Sequence, residues 1–157
     1  MSRYWLTIHW PHPVDEREDH AWCVHLQDRY KEKGEQLSPG DMVAFYETGQ
    51  RKRHLRQDTS EPVDLKPGRK AVVGIAEVSG PLRESTLRQK VRQYKGADGA
   101  PPLNWAWEVP CHHPRWGQPV PYDDLLVLIN RGNVRIRGGT TELPPSQFEE
   151  LRRRLRL

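Results

Sequence analysis

Cysteines, long apolar runs and phosphate-binding loops are scarce or missing in this 157-residue chain. The two cysteines, Cys23 and Cys111, are far apart in sequence and do not supply a disulfide framework, which favours a reduced, cytoplasmic setting. No apolar run has the length of a membrane span or the pattern of a signal peptide. The glycine pair within Arg137–Thr141 lacks the spacing and the lysine of a P-loop. We therefore expect a cytoplasmic protein without a membrane partner.

The apolar fraction is also low, at 35%, whereas charged residues make up 29%. At this length the composition favours one domain, residues 1–157, with a small core and a strongly ionised surface. The net charge of +4 permits an anionic partner without requiring one. Arginines gather near the C-terminus, and a cluster without any acidic residue contains Arg51, Lys52, Arg53 and Arg56. Nucleic acid fits these clusters better than a membrane does, because no basic helix carries bulky apolar anchors.

Phenylalanine is rare, with two residues, whereas the chain has six tryptophans and five tyrosines. Trp and Tyr carry a polar atom on a flat apolar ring, which suits them to half-wet pockets. A nucleobase taken out of its stack needs such flat walls, since stacking contributes about 1–3 kcal/mol per base, together with polar groups that read its edge. For each single ring, ordinary core packing is the alternative interpretation.

The apolar pattern predicts short strands with a few helices. The predicted strands are Arg3–Trp10, Met42–Tyr46, Ala71–Val78 and Asn104–Val109, and Gly74 inside the third predicts either a bulge or a close backbone approach. The predicted helices run from Asp15 to about Lys33 on a Trp22, Leu26, Tyr30 stripe, over the Leu87, Val91, Tyr94 stripe, and from Ser146 to Leu157. Because the strands are too close together for βαβ units, we expect an α+β fold, a mixed β-barrel with peripheral helices.

Three further segments complete this prediction. Leu125–Ile129 fits either a short helix or a strand. Gly49–Arg69 is polar and long, which is typical of a loop that is either functional or disordered. Ser146 and Glu149 match a capping box at the start of the last helix, and Asp41 is placed to stabilise the turn before its strand.

Motifs for catalysis or metal binding are weak. Cys111-His112-His113 contains metal-ligating residue types, but neighbours on a strand point to opposite faces, so we predict no metal site there. Nothing in the sequence marks either cysteine as reactive. Two nucleophile pairs nevertheless stay open, Cys23 with His25 and Cys111 with His9. We expect a binding protein that needs no cofactor, rather than an enzyme.

Four blocks of the sequence resemble EVE domains, which belong to the PUA-like superfamily together with YTH and ASCH domains. The blocks are Tyr4-Trp5-Leu6, Pro39–Tyr46, the VGIAEV segment Val73–Val78, and Arg137–Pro144 followed by Phe148 and Leu151. They occur in the order expected for the family and span residues 4 to 151. The resemblance implies a single PUA-like barrel of about five or six strands with helices packed round it.

The resemblance also implies binding of nucleic acid that bears a modified base. EVE domains are associated with 5-methylcytosine and its hydroxymethyl form in DNA and are often fused to restriction nucleases, and YTH domains take N6-methyladenine of RNA into a tryptophan cage. Carried over by position, the expected base pocket comprises His9, Trp10, Trp22, Tyr46, Trp105, Trp107, Gly139 and Thr140. The expected phosphate-binding residues are Arg51, Lys52, Arg53, Arg56 and Lys70. We expect a monomer that hands its signal to an effector protein such as a nuclease.

Two alternatives remain open at this stage. ASCH-type relatives include small amidohydrolases that act on modified nucleosides, and Lys70, Thr140 and Glu77 are residue types that would imitate their site. A general RNA-binding module without a base pocket is the other alternative. The sequence also leaves open whether the ligand is DNA or RNA.

Overall fold

A computed structural model describes residues 2–9, 23–49, 54–56, 62–63, 69–85, 94–96, 106–131 and 139–157. The strands in these ranges are β1 (Tyr4–His9), β2 (Cys23–Leu26), β3 (Met42–Glu47), β4 (His54–Arg56), β5 (Pro62–Val63), β6 (Ala71–Val78), β7 (Arg83–Glu84), β8 (Tyr94–Gly96), β9 (Trp107–Pro121) and β10 (Thr140–Leu143). The helices are α1 (Lys31–Glu35), which follows a 3-10 turn at Asp28–Tyr30, α2 (Tyr122–Arg131) and α3 (Pro145–Arg154).

One mixed sheet forms the framework, with the strand order β10-β1-β3-β6-β9-β2 and with β7 paired to β9 outside this path. Along this path β1 and β3 run parallel to each other, and every other pair of neighbouring strands is antiparallel. The sheet curls into a half-barrel that brings its two outer strands, β10 and β2, close together. A Cβ placed on Gly139, just before β10, would lie only 3.0 Å from Leu26 Cδ2 of β2. The predicted α+β architecture with peripheral helices is confirmed.

The two faces of the sheet bury separate apolar clusters. The helix-side core lies between the sheet and helices α2 and α3, and the barrel core lies on the other face, against β2. Alternation along β3 sends Ala44 into the helix-side core and Val43 and Phe45 into the barrel core. Each large side chain fully buried in this way contributes about 1.5–3 kcal/mol of transfer free energy.

Several predicted elements are confirmed. The first strand is β1, the predicted Met42–Tyr46 strand is β3 with one more residue, and β6 has the predicted bounds. The pairing of β6 with β9 shifts register between Val72 and Gly74, which confirms the bulge. The segment Leu125–Ile129 is helical within α2. Helix α3 buries Phe148 and Leu151 as predicted, but Pro144 is its N-cap and no side chain caps it, so the capping box is wrong.

Other predictions are wrong because pairing between distant strands overrides local spacing. Cys23–Leu26 is strand β2 rather than part of a helix, since it pairs with β9. Tyr94 lies in strand β8, opposite Arg56 of β4, whereas Leu87 and Val91 lie outside the described residues. The predicted loop after Gly49 contains strands β4 and β5, which form a second sheet with β8.

Strand β9 extends to Pro121, far beyond the predicted end at Val109. Its sequence contains several prolines, which normally argue against a strand. None of the helices within the described ranges has the length and apolar character needed to cross a bilayer.

Candidate nucleic-acid interface

One end of the main sheet gathers most of the described residues that the sequence analysis assigned to ligand binding. Since β1 and β3 are parallel and β6 runs against them, His9, Glu47 and Ala71 are neighbours in register where β1 and β3 finish. Strand β10 begins close to this point, with Thr140 opposite Thr7. We refer to this as the upper end of the sheet, and to the end where β1 and β3 begin as the lower end.

Gly139 lies at the upper end, beside the first residue of β10. Its φ of 76° falls in the left-handed region that favours glycine. Its carbonyl accepts hydrogen bonds from the Ile8 backbone N–H at 2.8 Å and from Thr7 Oγ1 at 3.0 Å. A side chain at this position would press on Leu26, so glycine allows the two edges of the half-barrel to approach.

Thr140 adds buried polar groups beside Gly139. Its Oγ1 lies 3.5 Å from Thr7 Oγ1, and either hydroxyl can be the donor. Lys33 of α1 donates from Nζ to the Thr140 carbonyl at 3.2 Å. The upper end therefore combines the buried hydroxyls of Thr7 and Thr140 with the ammonium group of Lys33. Sequence reasoning missed Lys33 and Thr7, although Thr7 shares the Trp5 face of β1.

Trp107, another predicted pocket residue, is half-buried at the start of β9 and pairs with Leu26 of β2. Its indole Nε1 donates to Asp28 Oδ1 at 2.8 Å. The Lys31 ammonium lies 4.3 Å from the centre of the ring, within the range of a cation–π contact. The ring is therefore fixed at the edge of the half-barrel, on the same face as Gly139.

Tyr46 lies on the opposite face of the sheet from Trp107 and Gly139. It is only 6% exposed and belongs to the helix-side core, with its ring centre 5.8 Å from that of Tyr122. Burial, and next the neighbouring Tyr122, raise the pKa of its phenol. The structure thus separates Tyr46 from the other pocket residues that it describes.

The remaining predicted residues are described in part or not at all. His9 is the last residue of β1, and Arg56 the last of β4. The other predicted pocket and phosphate residues lie outside the described residues, namely Trp10, Trp22, Trp105, Arg51, Lys52 and Arg53.

A surface of cations and aromatic rings flanks the upper end. Lys70, a predicted phosphate-binding residue, is exposed, with Nζ 5.5 Å from the centre of the Tyr122 ring. Arg69 lies over Trp116, 5.1 Å from the ring centre, and Trp116 is 49% exposed. The Arg69 guanidinium and backbone N–H each donate to the buried Glu47 carboxylate at 3.2 Å. Sequence reasoning missed Trp116, because it lies in the proline-rich part of β9, and it therefore also missed Arg69, which contacts Trp116.

Neither thiol has the environment of a nucleophile. Cys23 Sγ donates to Glu108 Oε2 at 3.3 Å, and burial, with the charge of Glu108, raises the pKa of Cys23 to about 12. Burial also raises the pKa of Cys111 to about 12. Glu108 is itself fully buried and ion-paired with Arg83 at 2.8 Å.

Both thiols are therefore expected to react slowly with iodoacetamide in the folded protein. A pKa of about 12 instead of 9.0 lowers the thiolate fraction at pH 8 by about a thousandfold. Mass spectrometry of timed alkylation, in buffer and in urea, measures the ratio of rates. Because the folded state favours both protonated thiols, their contribution to the free energy of unfolding is complete below pH 9 and is lost as pH rises towards 12. Equal alkylation rates in both solvents would contradict this account.

The residues considered for an amidohydrolase site are not assembled. Lys70 directly precedes β6 and Glu77 lies near the other end of that strand, which separates them by roughly 20 Å at the rise of an extended chain. Glu77 instead contacts His112 at the lower end, whereas Thr140 lies near the upper end.

The sequence matches no protein-family model and no curated protein. The structure is similar to that of a protein from Leishmania major, with a TM-score of 0.63 and 16% identity over 99% of this chain and 96% of that one. It is also similar to human THYN1 in complex with 5-methylcytosine-containing DNA (TM-score 0.57, 11% identity, 96% and 95% covered). ASCH from Zymomonas mobilis matches with a TM-score of 0.56 and 14% identity over 95% and 93% of the two chains. These similarities confirm the PUA-like fold, and assignment to the EVE family stays a prediction.

Proposed function

We propose that this PUA-like domain binds nucleic acid and reads a modified base, with 5-methylcytosine as the first candidate. The observation that carries the proposal is that the upper end of the sheet holds Gly139, Thr140 and Lys33 at β10 and, at the same end, the cations Arg69 and Lys70 just before β6. The structural similarity to human THYN1, which was solved with 5-methylcytosine-containing DNA, supports it.

The proposal divides affinity and selectivity between two sets of residues. Lys70 and the basic cluster that contains Arg53 would neutralise phosphates and supply salt-dependent affinity for any sequence. The base would leave its stack and enter between aromatic walls that include Trp10 and Trp22. One methyl group contributes only about 0.8 kcal/mol by buried area, so selectivity requires a close fit round it.

Polar groups at the upper end would read the edge of the base. An ammonium group carries three donors, and one donor of Lys33 meets the Thr140 carbonyl. A second donor would be directed to an acceptor such as a pyrimidine carbonyl, beside the Thr7 and Thr140 hydroxyls. We propose binding without turnover, since the raised thiol pKa values and the distance between Lys70 and Glu77 favour no nucleophile among the described residues.

Fluorescence anisotropy with matched oligonucleotides tests the proposal. Each pair differs by one modification (5-methylcytosine, 5-hydroxymethylcytosine or N6-methyladenine) and is prepared as single- and double-stranded DNA and as RNA. We expect one modified strand to bind several-fold more tightly than its plain partner. Equal affinities throughout would refute selective reading and favour a general nucleic-acid-binding module, and no binding at all would refute the proposal entirely.

Removing a predicted phosphate contact should weaken binding to modified and plain strands alike. Lys70→Asn and Arg53→Ala are each expected to reduce the slope of log K against log salt by about 1. Lys70 has a φ of 51°, which asparagine tolerates, so that substitution removes the charge without adding backbone strain. Anisotropy titrations at several salt concentrations measure the slope. Arg3→Gln, which removes an exposed cation at the lower end, is the control and should leave the slope unchanged.

A further inference from the structure

Glu77, His112 and His113 form a compact cluster at the lower end of the sheet, away from the proposed base pocket. Glu77 and His112 are partners in register on β6 and β9, and His112 Nε2 lies 3.4 Å from Glu77 Oε2. The ring centres of His112 and His113 are 4.0 Å apart. One ligand atom from each of the three residues lies within 4.8 Å of the other two.

The backbone at His113 explains how neighbouring side chains converge. In a regular strand they would point to opposite faces, and the sequence-based prediction of no metal site rests on that alternation. His113 instead has a φ of 52°, and the pairing of β6 with β9 shifts register between Ile75 and Glu77. A residue other than glycine in this region costs about 1–2 kcal/mol, and such strain and such bulges often occur at functional sites.

We propose that Glu77, His112 and His113 bind a divalent transition-metal ion, for which Zn²⁺ is the best match. Zn²⁺ binds imidazole nitrogen and carboxylate oxygen at about 2.0–2.2 Å, which places two tetrahedral ligands about 3.3 Å apart. The His112–Glu77 separation of 3.4 Å already has this value, so only the His113 ring has to close in.

The donor set also selects among metals. Two imidazoles disfavour Mg²⁺ and Ca²⁺, which prefer oxygen ligands, and favour Zn²⁺, Ni²⁺ or Cu²⁺. Both histidines are exposed and Glu77 is partly exposed, so water can complete the coordination shell. The ion would join β6 to β9 near the ends of both paired segments and would therefore stabilise the sheet without contacting the upper end.

Isothermal titration calorimetry with ZnCl₂ on the full, tag-free chain tests the site, together with ¹H–¹⁵N NMR spectra of the imidazole groups. We expect one Zn²⁺ per chain, perturbation of the His112 and His113 signals, a raised Tm, and no response to Mg²⁺. His113→Asn keeps a residue that tolerates positive φ, and Glu77→Gln keeps the shape of the side chain. Each should weaken Zn²⁺ binding about tenfold or more, since even the loss of an outer-shell partner typically costs 10–100-fold.

His12→Asn is the matched control, because it removes a histidine elsewhere in the sequence and should leave the affinity unchanged. Far-UV circular dichroism checks that every variant folds. The proposal is overturned if no saturable binding occurs, if folded His113→Asn and Glu77→Gln bind as tightly as the parent chain, or if His12→Asn abolishes binding.

Discussion

Substituting alanine for Trp22 is expected to abolish the preference for a modified oligonucleotide, and Trp10→Ala is expected to do the same. Stacking of one base on an aromatic ring contributes about 1–3 kcal/mol, so affinity for the modified strand should fall by about 5- to 150-fold. Selectivity should be lost with it, because a single methyl group is recognised only in a tightly fitting cavity. Anisotropy titrations with a methylated strand and its plain partner measure both quantities.

Trp22→Phe is the matched control for this experiment. Phenylalanine keeps a flat wall and should retain most of the preference, whereas alanine removes the wall. The alanine variants should still bind plain strands through the cationic residues, with the salt dependence of the parent chain. Full selectivity in folded Trp10→Ala and Trp22→Ala proteins would contradict an aromatic pocket built by these rings.

The largest loss of stability is expected for Asp41→Ala. Asp41 is 3% exposed, and its carboxylate accepts hydrogen bonds from the backbone N–H groups of Arg3 and Ser38 and from the indole N–H of Trp5, each at 3.0 Å. Alanine removes an acceptor that serves three donors at once. Because hydrogen bonds to a charged group contribute about 1.5–3 kcal/mol each and are not additive, we expect the free energy of unfolding to fall by about 3–5 kcal/mol.

Urea denaturation followed by circular dichroism measures this loss. Glu142→Gln is the comparison variant, because it removes only an exposed ion pair with Arg3 and should cost no more than about 1 kcal/mol. Asp41→Asn keeps one acceptor oxygen and should fall between the two. If Asp41→Ala is no less stable than Glu142→Gln, the carboxylate does not hold this corner of the fold together. The contacts with Ser38 confirm the turn role predicted from the sequence, and the bond to Trp5 extends it.

Elements defined by their own residues could be predicted from the sequence. Ala71–Val78 is a continuous apolar run with one acidic residue, and a buried central strand has this pattern. The Phe148 and Leu151 positions of α3 follow helical spacing on a surface helix, so their burial was also foreseeable.

Elements defined by distant partners could not be predicted. The spacing of four between Trp22, Leu26 and Tyr30 imitates a helix, yet Leu26 pairs with Trp107 across two strands. In β9 the prolines hide a strand whose pairing with β6 is interrupted by register shifts, and those interruptions tolerate residues without a backbone N–H. The convergence of His112 and His113 depends on the same irregularity.

Only part of the candidate site could be predicted, because some of its residues are placed by contacts with distant elements. Gly139 and Thr140 lie where β10 begins at the upper end, and the family resemblance pointed to this segment. Tyr46 was assigned to the pocket, but both faces of β3 are buried, so no polar alternation shows which face looks into the half-barrel. Lys33 reaches Thr140 from a short helix that follows an unexpected strand, and no sequence pattern signals that contact.

The pairing of β1 with β10 joins residues separated by more than a hundred positions, and Phe148 packs against Tyr4 with ring centres 4.8 Å apart. During synthesis on the ribosome, β1 emerges early and keeps an open edge until residues 140–154 have been made. A ribosome that stalls before that point would hold a nascent sheet whose first strand can pair with a neighbouring polypeptide. Chaperone dependence should therefore be concentrated in the interval between the synthesis of β1 and the synthesis of β10.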